Sequence, residues 1–402
     1  MRRRVLLAVS GGIAAYKVPE LVRALDRAGR AVRCVLTEAA AEFVAPLVLQ
    51  TLTREPVRMR LLDPGEEGRI GHIDLADWAE AVVVAPATAN VLAKLAAGIA
   101  DDLVTTVLLA TRAPVLVAPA MNVNMWEHPA TQANLATLRA RGVRVVGPDE
   151  GALACGWEGA GRMAEPAEIA GALDLLLGTR SLAGEQVVVT AGGTREPIDG
   201  VRALVNRSSG KMGFALAAEA ARRGAEVTLV SGPVSLATPP GVRRVDVETA
   251  LEMRAAVWAE LPRASVVVMA AAVADFRPAE PVAGKIKKED LPAGAGLELR
   301  LVQNPDILAE ISRERGKRIV VGFAAESRDV IANARRKLAR KGCDLLVAND
   351  VSRSDAGFEA DRNAVALVAP DGEVEELPLL DKREVAARIW DRIEKLRRTA
   401  GR

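Results

Sequence analysis

Short β-branched runs alternate along the whole chain with Ala- and Leu-rich stretches whose apolar positions recur at helical spacing. The first half predicts strands at about 4–9, 31–36, 81–85, 114–118 and 143–146. Helices are predicted near 13–28, 89–97, 102–111, 129–141 and 167–177. Strands of unbroken apolar character separated by amphipathic helices are the signature of βαβ units on a parallel sheet, buried on both faces.

Residues 178–185, "GTRSLAGE", carry no periodicity and read as a linker; the pattern then restarts. "QVVVTAGGTREPID" echoes "RVLLAVSGGIAAYK": an apolar strand, a small polar residue, then paired glycines. Further strands are expected near 226–230, 265–270, 318–322, 344–348 and 364–368, and helices near 211–223, 249–260, 305–313, 328–341 and 381–397. The expected fold class is therefore α/β, two tandem Rossmann-like doubly wound domains, 1–180 and 181–402. Between about 274 and 300 the chain is Pro/Gly-rich and charged, too long for an ordinary connection, as functional lids and disordered loops are.

Composition narrows the class. The 402 residues suit two or three domains, and with 50% hydrophobic but only 3% aromatic residues the cores must be built from Ala, Val and Leu. Lys and Arg number 54 against 52 Asp and Glu, so no global charge points to nucleic acid or an anionic membrane. Three scattered cysteines, Cys34, Cys155 and Cys343, exclude a disulfide framework and suit a reducing cytoplasm. The opening "MRRRVLLAV" imitates a signal peptide but reads as a first buried strand, and no apolar run approaches the roughly 20 residues of a membrane span.

Candidate chemistry sits where strands end. In "SGGIAAYK", Gly11 and Gly12 permit a tight turn and close backbone approach, and the following helix start offers N–H groups to a phosphate; a plain turn competes on even terms. The dinucleotide fingerprint G-x-G-x-x-G is absent, with Tyr16 where a further glycine is sought. "PATAN" places Thr88 and Asn90 at a strand's carboxyl end, and "PAMNVNMW" repeats the placement with Asn122. Thr88 also suits a helix N-cap. Of two histidines, His128 reads as a capping residue, whereas His72, in "RIGHIDLADWAEA", precedes an amphipathic segment. "GALACGWEGAGRM" puts Cys155 among glycines, a stretch expected to form neither strand nor helix and to leave the thiol on a loop.

Together, "VSGGIAAYK", "GHIDLADWA", "PATAN", "PAMNVNMW" and "GALACGWEGAGRM" resemble the flavin-dependent cysteine decarboxylase family. Over essentially its whole length the chain is similar to the bifunctional phosphopantothenoylcysteine decarboxylase/phosphopantothenate–cysteine ligases of coenzyme A biosynthesis. The resemblance implies FMN at the strand ends, against Ser10, Gly11, Gly12, Thr37, Thr88 and Asn90, with His72, Asn122 and Cys155 as the catalytic set. Losing CO₂ from a cysteinyl carboxylate leaves a carbanion that needs an electron sink, which a flavin supplies by oxidising the substrate thiol. Asn122 is then expected to hold the carboxylate, His72 to assist proton removal and Cys155 to return the last proton. A thiol on a closing loop suits that step.

In the second half "NRSSGKMG" fails the P-loop pattern, Val205 replacing the first glycine and Met212 the Ser/Thr, yet it matches the ligase pattern from Asn206 to Gly213. "NPDIL" reads as an Asn304 N-cap with Pro305 opening a helix. Lys337 and Lys341 lie one turn apart on a helix face, while Lys287 and Lys288 read as solvated charge. Family correspondence sets Met269, Ala270, Ala271, Asp275, Lys285, Asn304, Pro305, Asp306, Ile307, Phe323, Lys337 and Lys341 around CTP. The implied reaction condenses 4′-phosphopantothenate with L-cysteine through an acyl-cytidylate. In it Lys285 offsets developing charge, Asn206 supports the intermediate, and Mg²⁺ accompanies the triphosphate. The resemblance also implies a homo-oligomer with trimeric decarboxylase and dimeric ligase contacts. Two other readings stay open on residues alone: a non-catalytic regulatory flavoprotein, and a nicotinamide-linked oxidoreductase, which the missing glycine fingerprints disfavour.

Overall fold

Val5, Leu7 and Val9 of the first strand enter one buried layer, and Leu6 and Ala8 enter the other. Alternate side chains of one strand thus feed two cores, as a parallel sheet covered on both faces requires. The computed structural model describes residues 2–61, 71–152, 156–287, 289, 296–326, 328–350 and 360–400. The chain divides into two compact units, Met1–Leu177 and Gly178–Arg402.

In the first unit β1 (Arg3–Val9), β2 (Arg30–Leu36), β3 (Ala81–Ala87), β4 (Val115–Pro119) and β5 (Arg144–Val145) form one parallel sheet in the order 2-1-3-4-5. The order reverses between β1 and β3, opening a crevice beyond their carboxyl ends. Helix Val18–Arg27 shows how the faces are covered. Val18, Leu21, Val22 and Leu25 recur at one-face spacing and are buried, each contributing about 1.5–3 kcal/mol relative to exposure. The helix expected over 13–28 is split, a 3₁₀ segment Ile13–Lys17 preceding it. Pro19 has no N–H to donate backwards, so a continuous α-helical ladder cannot cross it.

The described residues on either side of Cys155 form strands, contrary to the reading that the stretch forms neither strand nor helix: β6 (Asp149–Ala152) pairs antiparallel with β7 (Glu158–Arg162). Gly151, Gly159 and Gly161 lie at φ of 141°, 145° and 155°, backbone that side-chain-bearing residues avoid, so the glycines permit this ribbon rather than breaking it. Lys17 anchors the far end, donating to the Met163 carbonyl (3.2 Å) and pairing with Glu165 (2.7 Å). Cys155 itself lies outside the described residues.

In the second unit β8 (Gln186–Ala191) is followed by a small hairpin, β9 (Arg195–Pro197) with β10 (Ala203–Val205). The main sheet adds β11 (Glu226–Ser231), β12 (Val242–Asp246) and β13 (Val266–Met269). The long 274–300 connection is clasped at its ends by β14 (Phe276–Pro278) pairing with β15 (Leu301–Gln303). β16 (Ile319–Glu326), β17 (Leu345–Asp350), β18 (Arg362–Val368) and β19 (Val374–Asp381) complete the main sheet. Its order is 12-11-8-13-16-17-18-19. Counted within the sheet this begins 3-2-1-4-5-6, the Rossmann order, with an antiparallel edge from β18 and β19. The switch point falls between β8 and β13.

Two local expectations are corrected here. Asp306, not Asn304, caps the helix Ile307–Arg313, its side chain accepting from Ala309 N at 3.1 Å, and Pro305 precedes the helix. Asn304 is diverted because its amide donates to the Ala274 carbonyl (2.8 Å) and its Oδ1 accepts from Arg277 (3.0 Å). Tertiary partners outcompeted a local cap.

Candidate active sites

Beyond the ends of β1, β2 and β3 lies a cavity of about 960 Å³, lined among others by Ser10, Gly11, Thr37, Thr88 and Asn90. Ser10, buried, donates to the Pro86 carbonyl (2.7 Å), and its Oγ accepts from the Thr88 N–H (3.1 Å). These bonds lock the loop after β1 to the loop after β3. Thr88 also caps helix Ala89–Ala97, and Thr37 caps Glu38–Ala41 by accepting from Ala40 N at 3.2 Å. Gly11 leaves no alternative: a Cβ there would stand 2.4 Å from Ala39 Cβ and 2.7 Å from its carbonyl carbon. Gly12 is not among the lining residues, although a Cβ on it would meet Thr88 Cγ2 at 3.3 Å.

Sequence reasoning missed the opposite wall. Lys94 and Asp101, paired at 2.8 Å, line it together with Asp102 and Met125. The Asp101 hydrogen bond raises the Lys94 ammonium above its ordinary pKa. Asp102 heads a capping box on helix Leu103–Ala110, and Asp followed by Thr three residues later before an apolar run was the available signal.

Of the expected catalytic residues, Asn122 caps the short helix Val123–Glu127, with Oδ1 accepting from Asn124 N at 2.9 Å. The adjacent Met121 N–H donates to the Gly161 carbonyl (3.0 Å), so the Asn122 loop is stitched to the hairpin that carries Cys155. Gly159 packs so close to Val123 that a Cβ would lie 2.9 Å from its Cγ2. His72 stands half-buried inside helix Gly71–Trp78 rather than before it, and it does not line the cavity.

Several of the nucleotide residues expected in the second unit lie on or just beyond β13 and β16. Ala271 N donates to Thr190 Oγ1 (3.1 Å) and Ala274 N to Thr194 Oγ1 (3.0 Å), fastening the loop after β13 to that after β8 across the switch point. Asn206 donates to the Val273 carbonyl at 3.0 Å, and Asn304 N to the Asp275 carbonyl at 2.9 Å. Phe323 follows the β16 residue that registers with Met269. Lys337 pairs with Glu326 (2.6 Å) and Lys341 with Asp306, so neither is a simply solvated charge. Lys285 lies exposed on the 282–286 segment, and Lys288 falls outside the described residues. A second cavity, of about 630 Å³ near the ends of β11 and β12, contains none of these nucleotide residues; Arg195, Arg244, Asp246 and Glu252 line it.

Among the described residues no group of three or more His, Cys, Asp or Glu side chains could hold a metal ion, and no helix is long and apolar enough to cross a membrane.

Two doubly wound units, the first with a polar crevice at its switch point and the second with its β8 and β13 loops fastened together across its own, define a tandem α/β architecture. Residues 1–177 match the family described as Flavoprotein, and residues 182–396 match the DNA/pantothenate metabolism flavoprotein C-terminal domain. The chain is 50% identical over 396 residues to the Coenzyme A biosynthesis bifunctional protein CoaBC of Escherichia coli strain K12, covering 97% of this chain and 96% of that one. Its identity to the protein of the same name from Bacillus subtilis strain 168 is 46% over 403 residues, covering 99% and 98%. A solved C-terminal domain of a protein of that name is 40% identical, covering 54% of this chain and 97% of that one, with a TM-score of 0.46. The chain belongs to the family of coenzyme A biosynthesis bifunctional proteins, enzymes that join a flavoprotein decarboxylase to a ligase.

Proposed function

We propose that the second unit condenses 4′-phosphopantothenate with L-cysteine at the expense of CTP, and that the first decarboxylates the phosphopantothenoylcysteine so formed to 4′-phosphopantetheine. The observation that carries this reading is the cavity of the first unit. In a chain of the flavoprotein family, the switch-point crevice is lined by Ser10, Gly11, Thr37, Thr88 and Asn90. These residues fit FMN: the bare Gly11 lets the loop after β1 close on Ala39 at the cavity, and the hydroxyls of Ser10, Thr37 and Thr88 with the Asn90 amide offer polar partners to the cofactor. When bound, the flavin supplies a reversible two-electron sink for the substrate thiol. Asn122 holds the departing carboxylate through its amide, His72 takes a proton from the substrate, and Cys155 on the hairpin returns one to the product.

In the second unit the carboxylate attacks the α-phosphate of CTP and expels pyrophosphate, leaving an acyl-cytidylate, because an oxide is too poor a leaving group for direct aminolysis; the cysteine amine then displaces CMP. The 270–275 loop with Asn304, Pro305, Asp306, Ile307, Phe323, Lys337 and Lys341 receives the nucleotide. Lys285 offsets charge developing at phosphorus, and Asn206 supports the acyl-cytidylate. Magnesium arrives bound to the triphosphate and keeps much of its water. The enzyme acts in the cytoplasm as a homo-oligomer with trimeric contacts between first units and dimeric contacts between second units. Exposed Phe43, Leu47 and Val48 on the first unit support a covered apolar face.

The decisive experiment incubates the enzyme with phosphopantothenate, cysteine, CTP and magnesium and follows products by mass. We expect 4′-phosphopantetheine and CO₂. A colourless protein that still releases CO₂ after flavin removal sinks the cofactor assignment.

A further inference from the structure

A carboxylate with no exposed side-chain surface sits beside the long connection that carries Lys285. Asp199 Oδ1 accepts from the N–H groups of Val201 and Arg202, both at 2.8 Å. Its Oδ2 accepts from Arg202 Nε (2.9 Å) and from the Ile286 N–H (3.2 Å). Arg202 closes the ring by donating to the Ile286 carbonyl at 2.7 Å. The two backbones also run side by side, with Val282 N donating to Ile198 O (3.1 Å) and Gly200 N to Gly284 O (3.4 Å). A Cβ on Gly200 would stand 3.0 Å from the Ala283 carbonyl oxygen, so glycine is what allows the approach. Lys285 is therefore flanked by two residues, Gly284 and Ile286, that are both tied to the 198–202 turn.

We propose that Asp199 is a positioning residue for ligation: through Arg202 and Ile286 it fixes the backbone from which Lys285 reaches the reacting phosphate. The proposal rests on the role given above to Lys285. A lysine side chain has four rotatable bonds, so an untethered backbone would spread its ammonium over many positions, and misplacement by about 1 Å costs on the order of 100-fold in rate. The tether suits the task. Hydrogen bonds from Arg202 hold the Asp199 carboxyl well below the usual carboxylate range, keeping it charged wherever the enzyme works.

Asp199→Asn separates the two jobs of this side chain. An amide oxygen in place of Oδ1 still accepts from Val201 and Arg202, preserving the turn, whereas the amide NH₂ opposes the Ile286 N–H and the guanidinium, donor against donor. In full-length enzyme we expect kcat for CTP-dependent ligation to fall roughly 10- to 100-fold. The KM values for phosphopantothenate and cysteine should hold within about twofold, and decarboxylation by the same chain should be unchanged. With Lys285→Ala as background, Asp199→Asn should change kcat by less than about twofold, because the residue it positions is gone. Trypsin should cut after Lys285 and Lys287 faster in Asp199→Asn than in wild type at a temperature well below the melting transition of either protein. Losses that multiply in the double variant, or a wild-type kcat in Asp199→Asn, overturn the proposal. Should Asp199→Asn not fold, Ile286→Pro removes the N–H that Oδ2 accepts, and a wild-type kcat there overturns it equally. If Lys285→Ala ligates at the wild-type rate, the role of Lys285 fails instead, while the trypsin result still reports whether Asp199 holds the segment.

Discussion

Gly11 has Ala39 where a side chain would go. A Cβ would overlap both Ala39 Cβ and its backbone, so Gly11→Val must push apart the loops after β1 and β2 at about 1–3 kcal/mol. We expect the variant to purify with a reduced flavin-to-protein absorbance ratio and a lowered Tm; a wild-type ratio would place the flavin elsewhere. The cysteines divide by environment. Burial pushes the Cys34 thiol up to about 12 and the Cys343 thiol up to about 11, so both are neutral and unreactive near pH 8. A Cys155→Ser enzyme should therefore show no thiol titrating with an aromatic disulfide reagent until denaturant is added, and should stall after CO₂ loss. The glycine and threonine positions at the first cavity were legible because turn glycines and capping threonines act within a few residues of themselves, whereas Lys94 and Asp101 were not. Asp199 was not, since its partner Ile286 is brought to it by the fold alone.

At the scale of elements, the C-terminal helix Lys382–Ala400 is held to helix Lys211–Arg222 by two devices. Trp390, fully buried, donates from its indole to the Leu216 carbonyl at 2.9 Å. Arg223 joins Glu219 (2.7 Å), Glu394 (2.8 Å) and the Ala387 carbonyl (2.9 Å). Burial alone would raise the Glu219 carboxyl, but hydrogen bonds from Arg222 and Arg223 outweigh it and the net direction is downward. A folded-state pKa below the unfolded one stabilises the protein fully above the ordinary carboxylate range and loses that contribution as pH falls through the folded value. The advantage of wild type over Glu219→Gln in urea midpoint should thus be complete at neutral pH and shrink on acidification; a pH-independent difference would refute it. Most long helices were predictable closely, for their apolar stripes are local, although the helix expected over 13–28 opens as a 3₁₀ segment and the one expected over 381–397 runs on to Ala400. The β6–β7 hairpin was missed because its glycines were read as breakers, and only pairing with a second strand makes their backbone angles useful.

The whole molecule is two α/β units of different strand order, 2-1-3-4-5 and a Rossmann arrangement with an antiparallel edge. Each has its own buried cores. Separately produced fragments 1–180 and 181–402 should each fold, the first yellow and the second ligating with CTP. Equal ligation with ATP by the second would sink the nucleotide assignment. Sequence alone determined the alternation of strand and helix, the restart after residue 178 and the turn residues at strand ends. Those features depend on side-chain period and backbone permissiveness over a dozen residues or fewer. Strand order, the meeting of the loops after β8 and β13, the diversion of Asn304 from its cap and the burial of Asp199 were decided by the tertiary structure. Each depends on which distant backbone groups a polar atom finds once the sheet has closed, and nothing in the local pattern names those partners.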